Sequence, residues 1–521
     1  MEKPNQKVTM AHDDGAAVPL LDSATKATGK PRRNMYAFFY ATLASMTTIF
    51  MGYNLALMSG AQLFIREDLG LSDAEIEVLA GSINVFMLVS ILAAGCAADR
   101  LGRRGTLVLA NAFLTAGALA MSLGGSYAAL VAARFVTSVG SGFSIVVTSV
   151  YNAEISPPSM RGFLSSFLDV SSIEDHYRLI CDKLSLIKLD CFGVPCSALV
   201  AQMFISIGLL LSYVSNYAFA GMPVHLGWRV MYAAGVLPPL LLAAGVLAMP
   251  ESPRWLAMRG RLADARAVLL RTSDTAAEAD LRLEEIKRAV DESTTKSIDG
   301  DGGVWSELLV HPSPSVRRVL ICVVGIHFFQ QASGIDAIVL YTPLVLRNAG
   351  MSSNDAILGA TVAVGVSKTC FILVATLLSD RLGRRPLLLA SIAGVAVSMA
   401  SLGITLSLNT KSAASVAACV ASVMAFMAAF SVGFGPMTGT YTAEIMPLRL
   451  RAQGASLGNA VNRLTCGLVS MTFISLASWI TMPGCFFLYA GVAATAFVFV
   501  YKRFPETKGR SLEDMDVLFA K

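Results

Sequence analysis

The chain has 521 residues, of which 55% are hydrophobic and only 15% charged. A soluble chain carries charge nearer a quarter. The deficit here is concentrated in recurring apolar blocks, each about 20 residues long and able to cross a bilayer core as a helix. The net charge of +5 is modest and no basic, aromatic-laced patch accompanies it, which excludes a nucleic-acid partner.

Up to about Met35 the chain is polar, with Lys30, Arg32 and Arg33 just before the first apolar block. No short apolar segment with a cleavage site comes first, so the first span is expected to act as an internal signal. Spans are predicted near 36–61, 76–98, 105–124, 127–151, 196–220 and 228–249, then near 319–342, 356–379, 386–408, 413–442, 453–479 and 483–502. The expected fold class is all-α: a multi-pass membrane protein of twelve helices in two six-helix halves, 36–249 and 319–502.

Basic links follow the even-numbered spans: Arg100, Arg103 and Arg104; Arg161; Arg254 and Arg259; Arg381, Arg384 and Arg385; Arg449 and Arg451. Links after odd-numbered spans are poor in Lys and Arg. The positive-inside rule puts the tails 1–35 and 503–521, and the linker 250–318, in the cytoplasm. From Leu262 to Val290 the linker mixes Leu, Ala, Arg and Glu at helical spacing. That spacing predicts short amphipathic helices under the membrane. Of nine cysteines, Cys96, Cys322, Cys370, Cys419, Cys466 and Cys485 lie in or beside apolar blocks. They read as small buried apolar residues rather than disulfide partners, and no CxxC pair suggests a metal.

One hexapeptide is written twice. Asp99 to Arg104 follows span 2, and Asp380 to Arg385 repeats it letter for letter after span 8. The same string at the same place in each six-span block indicates two related halves. Gly permits a tight turn, and the arginines can reach carboxylates at neighbouring helix ends. Asp99, Arg103, Arg104, Glu154, Arg161, Asp380, Arg384, Arg385 and Glu444 are therefore the gating candidates, expected to latch one face of each half. The halves are not equivalent, since Gly95 precedes the first copy where Thr376 precedes the second.

With these features the chain resembles the sugar-porter family of the major facilitator superfamily. The resemblance rests on the doubled hexapeptide, on Pro250-Glu251-Ser252-Pro253-Arg254-Trp255-Leu256, on Gln330-Gln331-Ala332-Ser333-Gly334 and on Pro505-Glu506-Thr507-Lys508-Gly509. Ser333 to Asp336 and Pro447 to Gly454 are similar to plant polyol and monosaccharide transporters. The resemblance implies alternating-access transport of a polyol or monosaccharide by a monomer, with symport of protons in many members. It implies no enzyme activity and no cofactor. The plasma membrane is expected ahead of the vacuolar membrane.

A hydroxyl-rich solute needs amides and carboxylates to bond it and an apolar wall beside it, near the bilayer midplane between the halves. The resemblance gives Gln330, Gln331, Asp336, Asn462 and Asp169 as substrate ligands. The residues alone leave interhelical hydrogen bonding open for the two glutamines. Arg134, Asp336 and Lys368 are intramembrane charges that need an explanation. Asp336 and Lys368 are expected to offset one another, unless Lys368 snorkels to an interface.

Two departures stand out. Proton-coupled relatives carry Gly-Tyr-Asp in span 1, its acid titrating against the span-4 Arg134. Here Gly52-Tyr53-Asn54 replaces it, and Asn54 cannot exchange a proton near neutral pH; Asp336 or Asp169 would have to substitute. In span 10 the hinge pair Gly435-Pro436 is kept, but the Trp usual shortly after it is absent, leaving Met437-Thr438-Gly439 and a wider pocket.

Between spans 4 and 5 the family pattern breaks. Arg161 to Asp169 looks like the usual start of span 5, and Met203 to Gly208 is its natural continuation. The segment 170–202 is extra. Its Glu174, Asp175, His176, Arg178, Asp182, Lys183, Lys188 and Asp190 cannot lie together in lipid. Val-Ser at its start can be encoded GTAAGT and Gln at its end CAG, the usual borders of an intron, so the segment reads as translated intron. Cys196 to Gln202 would then supply the first turns of span 5, and Gln202 would take the place of Asp169. His176, Cys181, Cys191 and Cys196 are wrongly spaced for zinc.

No nucleophile constellation or P-loop is present, and the five histidines are scattered. The competing reading is the same fold binding sugar without net transport, as a sensor or an inactive splice form.

Overall fold

The computed structural model describes residues 35–155, 196–273, 275–298, 312–408, 412–446 and 450–507. Arg161, Asp169, and all of the extra segment before Cys196 lie outside these residues. The described residues are almost entirely helical, and no strand occurs among them.

Twelve spans can be counted. Span 1 is Met35–Leu69. Spans 2 and 3 form one run, Asp73–Leu123, broken at Gly102 into arms 73–101 and 103–123. Span 4 is Tyr127–Ile155, span 5 Cys196–Ala218, and span 6 the pair Val224–Ala234 and Leu237–Leu247. Span 7 is Pro314–Ala332 with Ile335–Asn348, span 8 Asn354–Leu382 and span 9 Arg384–Ser407. Span 10 runs through Ala413–Ala429, a π-helical turn Phe430–Phe434, and Gly435–Ile445. Span 11 is Arg451–Ile480 and span 12 Met482–Arg503.

Short polar signals set the ends. Ser72 and Glu75 form a capping box at the start of span 2, and Ser313, Ser353 and Ser412 cap spans 7, 8 and 10. Span 1 runs about two turns past its apolar block. Nothing in Gln62 to Asp68 breaks a helix, and the run stops only at Gly70, where φ is 62°. Span 5 begins at Cys196, so Cys196 to Gln202 do supply its first turns.

Odd-to-even connectivity puts both hexapeptides and the linker at one face of the bundle, here the linker face. The linker forms Pro253–Met258, Leu262–Thr272 and Ala276–Ile298. They bury Leu256, Val268, Leu269 and Leu283 against one another, with Trp255 and Ile286 packed alongside. Trp255 Nε1 donates to Asp99 O at 3.0 Å and Arg259 to Arg100 O at 2.9 Å, so this small core is tied to the first hexapeptide. On the outside of the linker, the Arg266 guanidinium bonded to Asp280 holds that carboxyl below its usual range.

At the opposite, far face the two halves are joined. Gln62 Nε2 of span 1 donates to Leu340 O of span 7 at 2.7 Å, and the Tyr213 hydroxyl of span 5 donates to Val339 O at 2.8 Å. Gly467 of span 11 lies against Val85 and Asn84 of span 2, an approach a side chain there would block.

Candidate functional site: an amide cluster between two broken helices

Span 7 breaks directly after its paired glutamines. Gly334 adopts φ 86°, a left-handed conformation that glycine takes without strain, and a Cβ there would press on the Tyr489 ring. Asp336 therefore falls in the first turn of the second helical piece. Span 10 breaks opposite. Pro436 has no N–H to give its helix, and the π-helical turn Phe430–Phe434 precedes it. Ser391 of span 9 patches the break: its hydroxyl donates to Ala429 O at 2.6 Å and accepts from Phe434 N at 2.7 Å. The hinge expected at Gly435-Pro436 is thus a real discontinuity.

The two breaks meet through Gln330. Its Nε2 donates to Phe434 O at 2.9 Å and to Gly435 O at 2.8 Å, while its Oε1 accepts from Asn462 Nδ2 at 2.7 Å. Gln331 Nε2 donates to Asn462 Oδ1 at 3.0 Å, and Arg463 donates to the same oxygen at 2.9 Å. Arg463 also reaches Asn84 Oδ1 of span 2 at 3.4 Å. Gln330 is consumed by interhelical bonds in this state. Gln331 Oε1 and Asn84 Nδ2 are buried with no partner, so an acceptor and a donor stand unsatisfied on opposite halves. Beside Gly439, where relatives carry Trp, a Cβ would meet no atom within 4 Å.

The remaining charges are arranged differently from expectation. Asp336 does not form an ion pair with Lys368 among the described residues; its carboxylate accepts from the Cys466 thiol. Lys368 is 6% exposed. It shares a helical stripe with buried Thr361, Val364 and Ile372, so it points into the bundle and does not snorkel. Arg134 is 1% exposed and donates to the backbone oxygen of Asn54 at 3.3 Å. Its Nε and second terminal nitrogen have no partner, and the Asn54 amide turns away to Phe50 O. His327 meets Thr442 at 3.2 Å as a core histidine. Gln202 is half-buried, one turn before Ser206 on the face that leads to Tyr213, with no hydrogen bond to the amide cluster.

At the linker face the hexapeptides build two matching clusters. Gly102 and Gly383 have φ 85° and 90°. In the first cluster Arg103 forms a two-pronged pair with Glu154 at 3.0 and 3.1 Å and reaches Asp99 at 3.2 Å. The Arg103 and Arg104 backbone amides donate to Glu251 Oε1 at 2.8 and 3.1 Å, and Ser252 Oγ donates to Glu154 at 2.5 Å. In the second, Arg384 pairs with Glu444 at 3.2 Å. The Arg384 and Arg385 amides donate to Glu506, each at 3.1 Å, and Thr507 Oγ1 donates to Glu444 at 2.6 Å. Tyr151 and Tyr441 complete the match by bonding Pro250 O and Pro505 O. The side chain of Asp380 and all of Arg161 lie outside the described residues.

Sequence reading missed Glu251 and Glu506, the carboxylates that cap the helices after each glycine. The signal was present as Pro-Glu-Ser and Pro-Glu-Thr, one after the last span of each half. Both clusters join elements of one half only, so each braces its own half.

The comparisons agree with this architecture. A family model described as "Sugar (and other) transporter" matches residues 197–519, and one described as "Major Facilitator Superfamily" matches 41–172. The stretch between them belongs to neither match and falls in the extra segment. Polyol transporter 5 of Arabidopsis thaliana is 47% identical, over 94% of this chain and 87% of its own length. Putative polyol transporter 1 of the same plant is 48% identical, over 94% and 92%. A partially occluded inward-open structure of the xylose transporter XylE from E. coli superposes with a TM-score of 0.73 at 23% identity, covering 92% of this chain and 100% of that one. Twelve helices, two matched bracing clusters and these alignments make the chain a member of the sugar transporter family within the major facilitator superfamily.

Proposed function

We propose that the chain carries a polyol or a monosaccharide across a membrane by alternating access. The observation that carries the reading is the amide cluster of Gln330, Gln331 and Asn462. It sits where two broken helices face each other between the halves, with an acceptor on Gln331 and a donor on Asn84 unsatisfied. Such orphans are costly when buried and are repaid by a hydroxyl-rich solute. Relatives at 47% and 48% identity are polyol transporters by name, which supports linear polyols as the first substrates to try.

Asp336, Asn462 and Gln331 are the ligands of this reading, and Gln330 joins them when the span-10 hinge moves. Gln202 continues the same face of span 5 that Asp169 would occupy without the extra segment. With the linker face in the cytoplasm, as the basic links favour, the described state is shut toward the outside. Asn54 does not titrate, so any proton carried with the solute binds elsewhere.

Uptake of radiolabelled polyols and hexoses into transporter-deficient cells tests the reading. Native protein should accumulate at least one of them, and Gln331→Ala should weaken apparent affinity by roughly tenfold or more, since a site built for hydroxyls loses a bond. No uptake of any polyol or hexose by correctly targeted protein would sink it.

A further inference from the structure

Glu77 lies one turn into span 2 at the far face and is 2% exposed. A carboxylate so deeply placed needs a cation or several donors. No ion pair to it occurs among the described residues; the donors come from the other half of the molecule. The backbone amides of Ile474 and Ser475 in span 11 both donate to Glu77 Oε1, the second at 2.9 Å, and the Ser475 hydroxyl donates to Oε2. Backbone amides in mid-helix are normally taken by the carbonyl four residues back. Here the carbonyl of Ser470, the partner due to Ile474, receives the Tyr341 hydroxyl at 2.7 Å. Span 11 is thus opened at the point where Glu77 grips it, and the glycine at 81 lets the two helices close against Ser470 and Met471.

We propose that Glu77 is a proton-responsive clasp on the far-face gate. Ionised, its two oxygens hold span 11 of one half to span 2 of the other. Protonated, it loses its charge and one strong acceptor, the three bonds weaken, and the halves separate. Charge-assisted bonds are about twice as strong as neutral ones, and the gate must break all three to open.

The titratable groups facing Glu77 are few. Tyr341 of span 7 and Tyr489 of span 12 act on it electrostatically. On its own helix Asp73 is paired with Arg66 of span 1 at 2.7 Å, and Glu75 is held in the Ser72 cap. Arg463 of span 11 is engaged by Asn462 and Asn84. None of these supplies a fixed counter-charge. With Asn54 unable to titrate, Glu77 is the buried acid that both spans the two halves and must change partners in every cycle.

The clasp rests on the alternating-access reading, and its test does not depend on the solute. Spin labels at Ala74 and Ser478, with Cys96 and Cys370 replaced by Ser, report the far-face separation in reconstituted full-length protein. On acidification from about pH 7.5 to about pH 5.5 the ratio of open to closed should rise about tenfold, the factor for roughly 1.4 kcal/mol spread over the three bonds. Glu77→Gln should sit toward the open distance at every pH. Ser475→Ala, which keeps the acid, should open more than native protein yet still respond to pH. A pH response that survives in Glu77→Gln, or its absence in native protein, overturns the clasp. A chain that opens on acidification but takes up no polyol or hexose would overturn the substrate reading and leave the clasp standing.

Discussion

Arg134 carries its charge in the middle of span 4, and the residue facing it from span 1 is Asn54. A buried cation normally has an anion beside it, and removing one partner of such a pair is strongly destabilising. Asn54→Asp should therefore raise thermal stability, by about 1–3 kcal/mol on the scale of a restored buried partner. It should also give uptake a steeper dependence on external acid, because the new carboxyl can titrate. Thermal unfolding in detergent and uptake across pH check both; unchanged stability would show that Arg134 is already compensated. This departure was legible from three letters of sequence. The fate of Asp336 was not, because its partner, Cys466, lies 130 positions away and reads as an apolar residue. Nor does the spacing of Gln330 disclose that it clamps the carbonyls of a break in span 10.

The bracing clusters set what single elements tolerate. Gly102 stands at φ 85°, and a Cβ there would run into the Glu251 carboxylate. Gly102→Ala should cost roughly 1–3 kcal/mol from the backbone alone and should release the Arg103 and Arg104 amides. Gly105→Ala, in ordinary helix with only Leu101 near, should cost little. Comparing the two by thermal unfolding and uptake separates a strained turn from a general loss of glycine; equal effects would contradict the role given to Glu251. The doubled hexapeptide revealed the clusters in sequence because its residues are contiguous. The capping carboxylates were harder to read, since each comes from a motif more than a hundred residues downstream of the glycine it serves.

At the scale of the molecule, twelve apolar blocks and the repeat were enough to anticipate the fold, since length and apolarity alone decide what can span a bilayer. Helix breaks at Gly334 and Phe430–Phe434 were only partly visible: Gly-Pro signalled one, and nothing but the Ser-Gly pair hinted at the other. The extra segment is the clearest departure from the family. Span 5 starts at Cys196 and continues without a break through Gln202 to Ala218. Deleting 170–202 would put Asp169 directly before Met203. We expect the shortened protein to transport at least as well as the native chain, with apparent affinity within about threefold, well under the tenfold per 1.4 kcal/mol that loss of a ligand brings. Loss of uptake on deletion would mean the segment is an integral part of the path.

Counterflow in proteoliposomes decides most directly between a carrier and a receptor of the same fold. Purified protein is loaded with unlabelled polyol and diluted into a trace of labelled polyol. A carrier must draw label inward transiently above equilibrium, because the site is exposed to each side in turn, and Gln331→Ala should reduce that transient at low substrate. Saturable binding of the same polyol with no transient accumulation would contradict transport and assign the amide cluster to a sensor.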